Sequence, residues 1–522
     1  MSDNKVATIH LGDVIYADID SNEYLREIHD NLLYNYAAKM LNIFDQTSRP
    51  VDKIDALRFA DLLSKSTHST NSDQHKMWAQ EIITLLCSIY PDDPAVSYYA
   101  GSVLTSTGNY QGRNLVAKDY QSGAVLDRMY SEYSKELLTI PAMPEFQFLR
   151  AQKQVYDHLT DQYFSYSGPT SMGKSFIMRM FLKSQVESGV EKNFALIVPT
   201  KALINEVTSK IINDLKENLK KYNYRLVTSA GALVLKEQHN FIFVLTPERL
   251  LYLLISNPDL ELHYLFVDEA HKLSEVDSRG PFYYKVIDKL VERKNKPHVI
   301  FASPNIPNPE IYLKSIPDIE TPEKWKLASS FSPVTQFKFL ISFRQHSISM
   351  FNDYSRTLTK IAQFTGEISL DTILPLVSRD SDGRIKQNIV YCSSIAQAVN
   401  LARSYANKIP TVTANQDIWT LSKEIKQEVH GDYFLAELIT KGVAYHIGYL
   451  PSTIRMRIEE LFRSGAITTI FCTSTLVEGV NMPADNLFIT SYKKGYAYMD
   501  AVDFRNLIGR VGRIEYNLYG NV

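Results

Sequence analysis

Two textures of apolar patterning divide the chain. From residue 21 to about 145, apolar side chains recur at three- and four-residue steps, with Leu25, Ile28, Leu32, Leu33, Tyr36, Met40 and Ile43 forming the first run. That spacing puts them on one face of a helix. Two further runs, Ile54 to Leu63 and Trp78 to Leu86, repeat it. Tyr90-Pro91-Asp92-Asp93-Pro94 breaks the third, because proline cannot continue a helix interior. The segment Tyr98 to Tyr110 has the look of one tetratricopeptide helix pair. No second copy follows at a fixed period, and one pair cannot bury its own face. The expectation over 1–145 is therefore a helical domain, a layer packed on the next domain.

From about residue 146 short apolar runs alternate with helical patterns. Phe194 to Val198 ends at Pro199-Thr200, Phe241 to Leu245 at Thr246-Pro247, Tyr264 to Val267 at Asp268-Glu269, and His298 to Phe301 at Ala302-Ser303. Near-continuous apolar runs of this length suit parallel strands buried on both faces. Polar residues gather at their carboxyl ends, where open α/β sheets bind ligands. A polar connector with prolines covers 331–385. A second sheet then begins, with Asn388 to Cys392, Ile467 to Cys472 and Asn486 to Thr490 as strands. The fold class is α/β: two tandem parallel-sheet domains, 146–330 and 386–522, after an all-helical front.

The strongest chemical signal stands at the head of the first sheet. Gly168-Pro169-Thr170-Ser171-Met172-Gly173-Lys174-Ser175 reads G-x-x-x-x-G-K-S, between an apolar run (Tyr163 to Tyr166) and a helical one (Phe176 to Leu182). Glycine lets the backbone approach phosphate oxygens, and amides at a helix start point at the anion. Lys174 reaches the outer phosphates in such a loop, and the Ser175 hydroxyl holds magnesium. Asp268 at a strand end suits the second magnesium contact. Glu269 is the candidate to orient and deprotonate the attacking water. His271 reads equally as a buried structural imidazole or as a group coupling nucleotide to the second domain. Asn506-Leu507-Ile508-Gly509-Arg510-Val511-Gly512-Arg513 offers two arginines three residues apart, expected on one helical face, whose guanidinium forks suit phosphate oxygens.

Composition narrows the class. The 522 residues are 45% hydrophobic and 22% charged, with a formal net charge of −2. No global basic field advertises nucleic acid, so such binding needs a local groove. Three distant cysteines, Cys87, Cys392 and Cys472, form no ligand pairs and suggest a reducing, cytoplasmic setting. No apolar run reaches the ~20 residues of a membrane span.

In family order, these motifs resemble those of superfamily 2 DExH-box helicases, the Ski-like group above all, over 146–522. Gly168 to Ser175 is similar to motif I, Pro199-Thr200-Lys201-Ala202-Leu203 to Ia and Thr246-Pro247-Glu248-Arg249 to Ib. Asp268-Glu269-Ala270-His271 is similar to motif II, and Thr473 to Ala484 to motif V. Asn506 to Arg513 resembles motif VI. Ser303-Pro304-Asn305 stands where the family has Ser-Ala-Thr, which puts coupling of hydrolysis to strand separation in question. The resemblance implies two RecA-like domains closing on ATP and magnesium. Gln152, with Gln154 as rival, would read adenine. Gly479 and Asn481 would complete the nucleotide site, and Arg510 and Arg513 would meet the γ-phosphate. Thr200, Thr246, Arg249 and Thr473 would hold phosphates of single-stranded DNA or RNA, and His271 and Ser303 would couple the two events. It implies an ATP-driven helicase or translocase, moving 3′ to 5′. The alternative is an ATP-gated nucleic-acid binding module of a larger assembly, anti-phage defence being one such setting. Relatives of this group continue past motif VI, so the expectation is that either the chain is a fragment cut short there or those functions are supplied elsewhere. The amino-terminal helices are a candidate dock for a protein partner.

Overall fold

The computed structural model describes residues 10–41, 48–229, 239–274, 280–317, 319–366, 369–379, 383–411, 415–474, 482, 484–495, 497–512, 514 and 517–522. Among them, no helix is long and apolar enough to cross a membrane. The chain divides into two compact units: Tyr133–Phe331, and the residues up to Glu132 together with Ser332–Val522.

The front of the chain is helical, as the spacing predicts: α1 (Glu23–Met40), α2 (Lys53–Ser64), α3 (Ser72–Ile89), α4 (Pro94–Thr107) and α5 (Tyr110–Val116). Local signals set the ends. Asn22 and Asp52 accept from the backbone at the starts of α1 and α2, and Asp93 does so for α4 with Pro94 in its first turn. Gly108 closes α4 at φ 77°. The helical run stops at Leu138, and a short hairpin (Thr139–Ile140 with Met143–Gln147) precedes the first sheet.

The unit Tyr133–Phe331 contains α6 (Arg150–His158), β1 (Tyr163–Gly168), α7 (Lys174–Glu187), β2 (Phe194–Ile197), β3 (Tyr224–Val227), β4 (Asn240–Leu245), β5 (Tyr264–Val267), β6 (His298–Pro304) and β7 (Lys326–Ala328). Their order in the sheet is β3-β4-β2-β5-β6-β1-β7, and every pairing is parallel. The predicted apolar runs are these strands; β2 and β5 are buried along their whole length.

The second sheet differs from expectation at one edge. Residues 331–385, read as a connector, contain β8 (Thr335–Ser342), β9 (Ser347–Asn352) and β10 (Thr357–Gln363), joined as an antiparallel meander. With β11 (Asn388–Tyr391), β12 (Val443–His446), β13 (Thr469–Cys472), β14 (Asn486–Ile489) and β15 (Tyr519–Asn521) they make one eight-stranded sheet, ordered β10-β9-β8-β15-β14-β11-β13-β12. Polar residues of the meander such as Lys338, Arg344 and Arg356 lie on its outer face and in its turns. Its inner face, including Phe337, Ile348, Met350 and Ile361, packs into one core with α1 to α4. The amino-terminal helices thus cover the second sheet, about 300 residues further along the chain. Tyr36 of α1 packs on Phe337 with ring centroids 4.4 Å apart and donates to Asn521 at 2.8 Å. Trp78 of α3 stacks on Tyr354 at 4.7 Å.

Candidate functional site

Tight packing shapes the loop between β1 and α7. Thr170–Met172 form one 3-10 turn, and Gly173 sits at φ 75°, a conformation that glycine adopts freely. A side chain at Gly168 would collide with the Met172 sulfur, 2.2 Å from its Cβ position. The loop therefore lies close against its own wholly buried methionine. Lys174 is buried and folds back, its Nζ donating to the carbonyls of Gly168 (3.1 Å) and Pro169 (3.2 Å). Burial pulls its pKa down, against Glu269 and Asp268, which raise it.

Two acidic residues converge on this loop from the end of β5. Asp268 Oδ2 accepts from the Ser175 hydroxyl at 2.8 Å, and Asp268 Oδ1 accepts from the Glu269 amide at 3.0 Å. Burial, then the adjacent Glu269 charge, push the Asp268 carboxyl up to about 6, against Ser175 and Lys174. Glu269 holds φ 53°, a left-handed backbone that costs a non-glycine residue energy and is common at functional sites. The His271 Nδ1 lies 3.2 Å from Glu269 Oε2. Hard oxygen donors at Ser175 and Asp268 fit magnesium, which takes few protein ligands and keeps water and phosphate for the rest. Because the metal needs the carboxylate, magnesium binding should weaken as pH falls through about 6 and release a proton. Calorimetric titration in buffers of different ionisation heat, well below and well above that value, measures both.

Strand β6 closes the other side. Ser303 is wholly buried, its hydroxyl 3.5 Å from the Tyr166 carbonyl of β1. Asn305, at φ 45°, donates its amide to Gly168 O at 3.2 Å, and the Ile306 amide donates to Ser167 Oγ at 2.7 Å. Asparagine tolerates the left-handed region better than threonine does. The unusual Pro304-Asn305 pair thus makes a turn that hydrogen-bonds to the phosphate loop.

Gln152, in the first turn of α6, touches the loop too, through Met172 O at 2.7 Å. Gln154 is exposed. The neighbouring strand ends carry Thr200, which caps the following helix by accepting from Leu203 N at 3.3 Å. Thr246 stands at another strand end, and Arg249, in the first turn of the helix Pro247–Ser256 that follows it, donates to Thr228 O at 2.8 Å. One unit therefore gathers Gln152, Gly168–Ser175, Asp268, Glu269, His271 and Ser303, with Thr200 and Thr246 after adjacent strands and Arg249 in the helix after Thr246.

Thr473 and Arg510 belong to the other unit, while Gly479, Asn481 and Arg513 lie outside the described residues. Arg510 is not on a helix, contrary to the spacing argument. Helix α9 (Ala501–Ile508; α8 is Ile395–Ala406) stops before Gly509, Val511 bridges Ala484, and Gly512 turns at φ 89°. A side chain at Gly512 would meet Val334 at 2.2 Å, so packing as well as backbone conformation calls for glycine at this turn.

Sequence reading missed a second feature of this unit. At the carboxyl ends of β11, β12 and β13 a cleft of about 330 Å³ is lined by Ser393, Ser394, Gly448, Tyr449, Thr473 and Ser474. Ser394 caps α8, accepting from Gln397 N at 3.2 Å. Beside it, Tyr492 and Tyr498 stack at 5.5 Å on a small hairpin, 68% and 71% exposed. Tyr391 OH anchors that hairpin through Lys493 O at 2.9 Å. Hydroxyls at a helix start and bare aromatic faces beside lysines suit a phosphate backbone and its bases. The Ser393-Ser394 pair after an apolar run was the available signal.

Residues 149–311 match the DEAD/DEAH box helicase family, and residues 370–515 match the helicase conserved C-terminal domain. The chain carries the tandem RecA-like domains of a superfamily 2 helicase. It is 26% identical over 369 residues to an ATP-dependent DNA helicase Hel308 of Caldivirga maquilingensis, covering 67% of this chain and 46% of that protein. It is 24% identical over 395 residues to anti-bacteriophage protein B of Escherichia coli, covering 74% of this chain and 48% of that protein. It is 26% identical over 407 residues to a probable ATP-dependent DNA helicase HFM1 of Mus musculus, covering 72% of this chain and 27% of that protein. The matched part spans less than half the length of these relatives.

Proposed function

We propose that this chain is the motor of an ATP-dependent translocase on single-stranded nucleic acid, DNA being the substrate class that the relatives' names favour. The carrying observation is the convergence of Lys174, Ser175, Asp268 and Glu269 on one loop, with Ser175 and Asp268 2.8 Å apart. Lys174 holds the outer phosphates, Ser175 and Asp268 hold magnesium, and Glu269 takes the proton of the attacking water. Magnesium, when bound, neutralises phosphate charge. Arg510 and Arg513 add positive charge at the γ-phosphate, and Gly479 and Asn481 complete the nucleotide contacts. Thr200, Thr246 and Arg249 take backbone phosphates in one unit, and Thr473, with the cleft at Ser394 and Tyr449 that it lines, does so in the other. Backbone contacts of this kind read little sequence. Movement is 3′ to 5′, as the family resemblance implies.

ATP turnover measured with matched single-stranded DNA and RNA tests this. DNA should stimulate turnover more than RNA does, and equal or absent stimulation removes the DNA assignment. The Tyr492→Ala, Tyr498→Ala double variant should weaken single-strand binding by about fivefold or more, the loss expected for one stacked base. Unchanged affinity would exclude the hairpin from strand binding.

A second reading, an ATP-gated binding module within a defence assembly, is favoured by the similarity to the Escherichia coli anti-bacteriophage protein. It differs in predicting ATP-dependent binding without strand displacement. A displacement assay on substrates of both polarities separates the two.

A further inference from the structure

We propose that the outer face of the meander β8–β10 docks an extended, acidic segment of a partner protein. This face shares no residue with the phosphate loop.

An antiparallel sheet with one covered face should turn apolar residues inward and polar ones outward. The inner side obeys: Phe337, Ile348, Met350 and Ile361 are buried in one core with the amino-terminal helices. The outer side does not. Leu340 is 53% exposed and Leu358 is 54% exposed, and Phe343, in the turn after β8, is 51% exposed. Half-buried Phe351 of β9 stands between them, paired with Leu358 on β10 and with Lys338 on β8. One row along, Leu340 pairs with Ser349, which faces Lys360. Opposed side chains on one face lie about 5 Å apart and diagonal ones about 7–8 Å, so Leu340, Phe351 and Leu358 make one patch. Single apolar residues scattered on a surface are ordinary, whereas a contiguous patch rimmed by charge marks a contact.

The rim has one sign. Lys338 and Lys360 stand on the face, and Arg344 and Arg356 stand in the turns at its two ends. Asp353 is the one acidic residue between positions 335 and 363, and Lys338 Nζ already donates to both of its oxygens, at 2.5 and 2.6 Å. Four cations against one anion leave this stretch positive in a chain whose net charge is −2. The complement of such a face is a segment that alternates acidic and apolar side chains. β10 is the last strand of the sheet, and among the described residues nothing pairs with its far edge, so one more extended strand can add there. Carboxylates suit the arginine forks in the two turns. Nucleic acid suits the face less well, because sheets that bind single strands offer aromatic rings for bases to stack on, and the most exposed positions here are leucines. A second copy suits it less well too, because two cationic rims would meet.

The test uses the full chain and a labelled peptide of alternating glutamate and leucine. A lysine–leucine peptide, polyglutamate and single-stranded oligothymidylate are the comparison probes. The glutamate–leucine peptide should bind and the lysine–leucine peptide should not. Polyglutamate, with no apolar side chains, should bind about tenfold more weakly or worse. Leu340→Ser with Leu358→Ser should weaken the glutamate–leucine peptide by about tenfold or more. Arg344→Glu with Lys360→Glu should weaken it by about threefold or more, a difference that added salt should shrink. Both variants should leave oligothymidylate affinity as it is. They replace exposed side chains, so an unchanged melting temperature separates lost docking from lost fold. Failure of the unaltered protein to bind the glutamate–leucine peptide, or unchanged affinity in both variants, overturns the proposal. So does a loss confined to oligothymidylate, which would make the face a nucleic-acid platform. A concentration-dependent dimer that the leucine variant abolishes would overturn it in favour of a contact between copies.

Discussion

Lys174→Ala should reduce nucleic-acid-stimulated ATP turnover by about a hundredfold or more, the loss typical when one preorganised donor to developing charge is removed. The ammonium is already in the site before phosphate arrives, held by the Gly168 and Pro169 carbonyls. Two neutral carbonyls are weak partners for a buried cation. A triphosphate that displaces them adds to the counter-charge of Asp268 and Glu269 nearby. The same ammonium also offsets the buried Asp268 and the half-buried Glu269 beside it. Without it those carboxylates face each other with less compensation, and the Asp268 pKa should rise further. Magnesium affinity near neutral pH should then fall along with turnover.

Glu269→Gln separates chemistry from binding. The carboxamide has nearly the same shape but cannot take a proton. Turnover should fall by a factor on the order of a hundred to ten thousand, the range for a positioned general base. ATP affinity should hold, or tighten slightly as like charge leaves the pair. Steady-state turnover and equilibrium nucleotide binding, measured on both variants, give the decision. Turnover within tenfold of the unaltered protein in both would remove the loop from the chemistry.

How much of this was legible before any coordinates depended on the range of the interaction. The phosphate loop and the acidic strand end are local signals, and β1, α7 and β5 place them together as their flanking patterns imply. The meander β8–β10 was not legible. Phe337, Phe339 and Ile341 alternate as a half-buried strand should, but Leu340 and Phe351 put apolar residues on the outer face as well and blur the period. Arg510 was misplaced because a three-residue spacing reads as a helical face only while the helix lasts, and Gly509 ends it. The short bond from Gln152 to Met172 joins residues 20 apart, which no pattern in the sequence announces.

Removing residues 1–132 should unfold the second sheet while sparing the first. The helices are no appendage, because they fill one side of a core whose other side is the meander. Phe337, Ile348, Met350 and Ile361 are each at most 2% exposed against them. Uncovering four such side chains costs about 1.5–3 kcal/mol each, a total on the order of a domain's whole stability. Polar groups would be stranded too. Asn352 donates to Asp30 at 2.7 Å, and Asn109 donates to the Pro333 carbonyl at 2.9 Å. Asn521, on a strand inside the sheet, would lose the Tyr36 hydroxyl that donates to it. Among the described residues, none of the unit Tyr133–Phe331 belongs to this core. Calorimetric melting of the full chain and of residues 133–522 reads the outcome: the shortened chain should lose the transition of the second unit and bind an apolar dye. Retention of that transition at an unchanged temperature would show that the helices are dispensable for folding. Tyr36→Ala gives a graded check, with an expected loss of about 3 kcal/mol for an emptied aromatic site. A partner that grips these helices would therefore act on the lobe that carries Thr473 and Arg510, and its binding would be read out there before anywhere else.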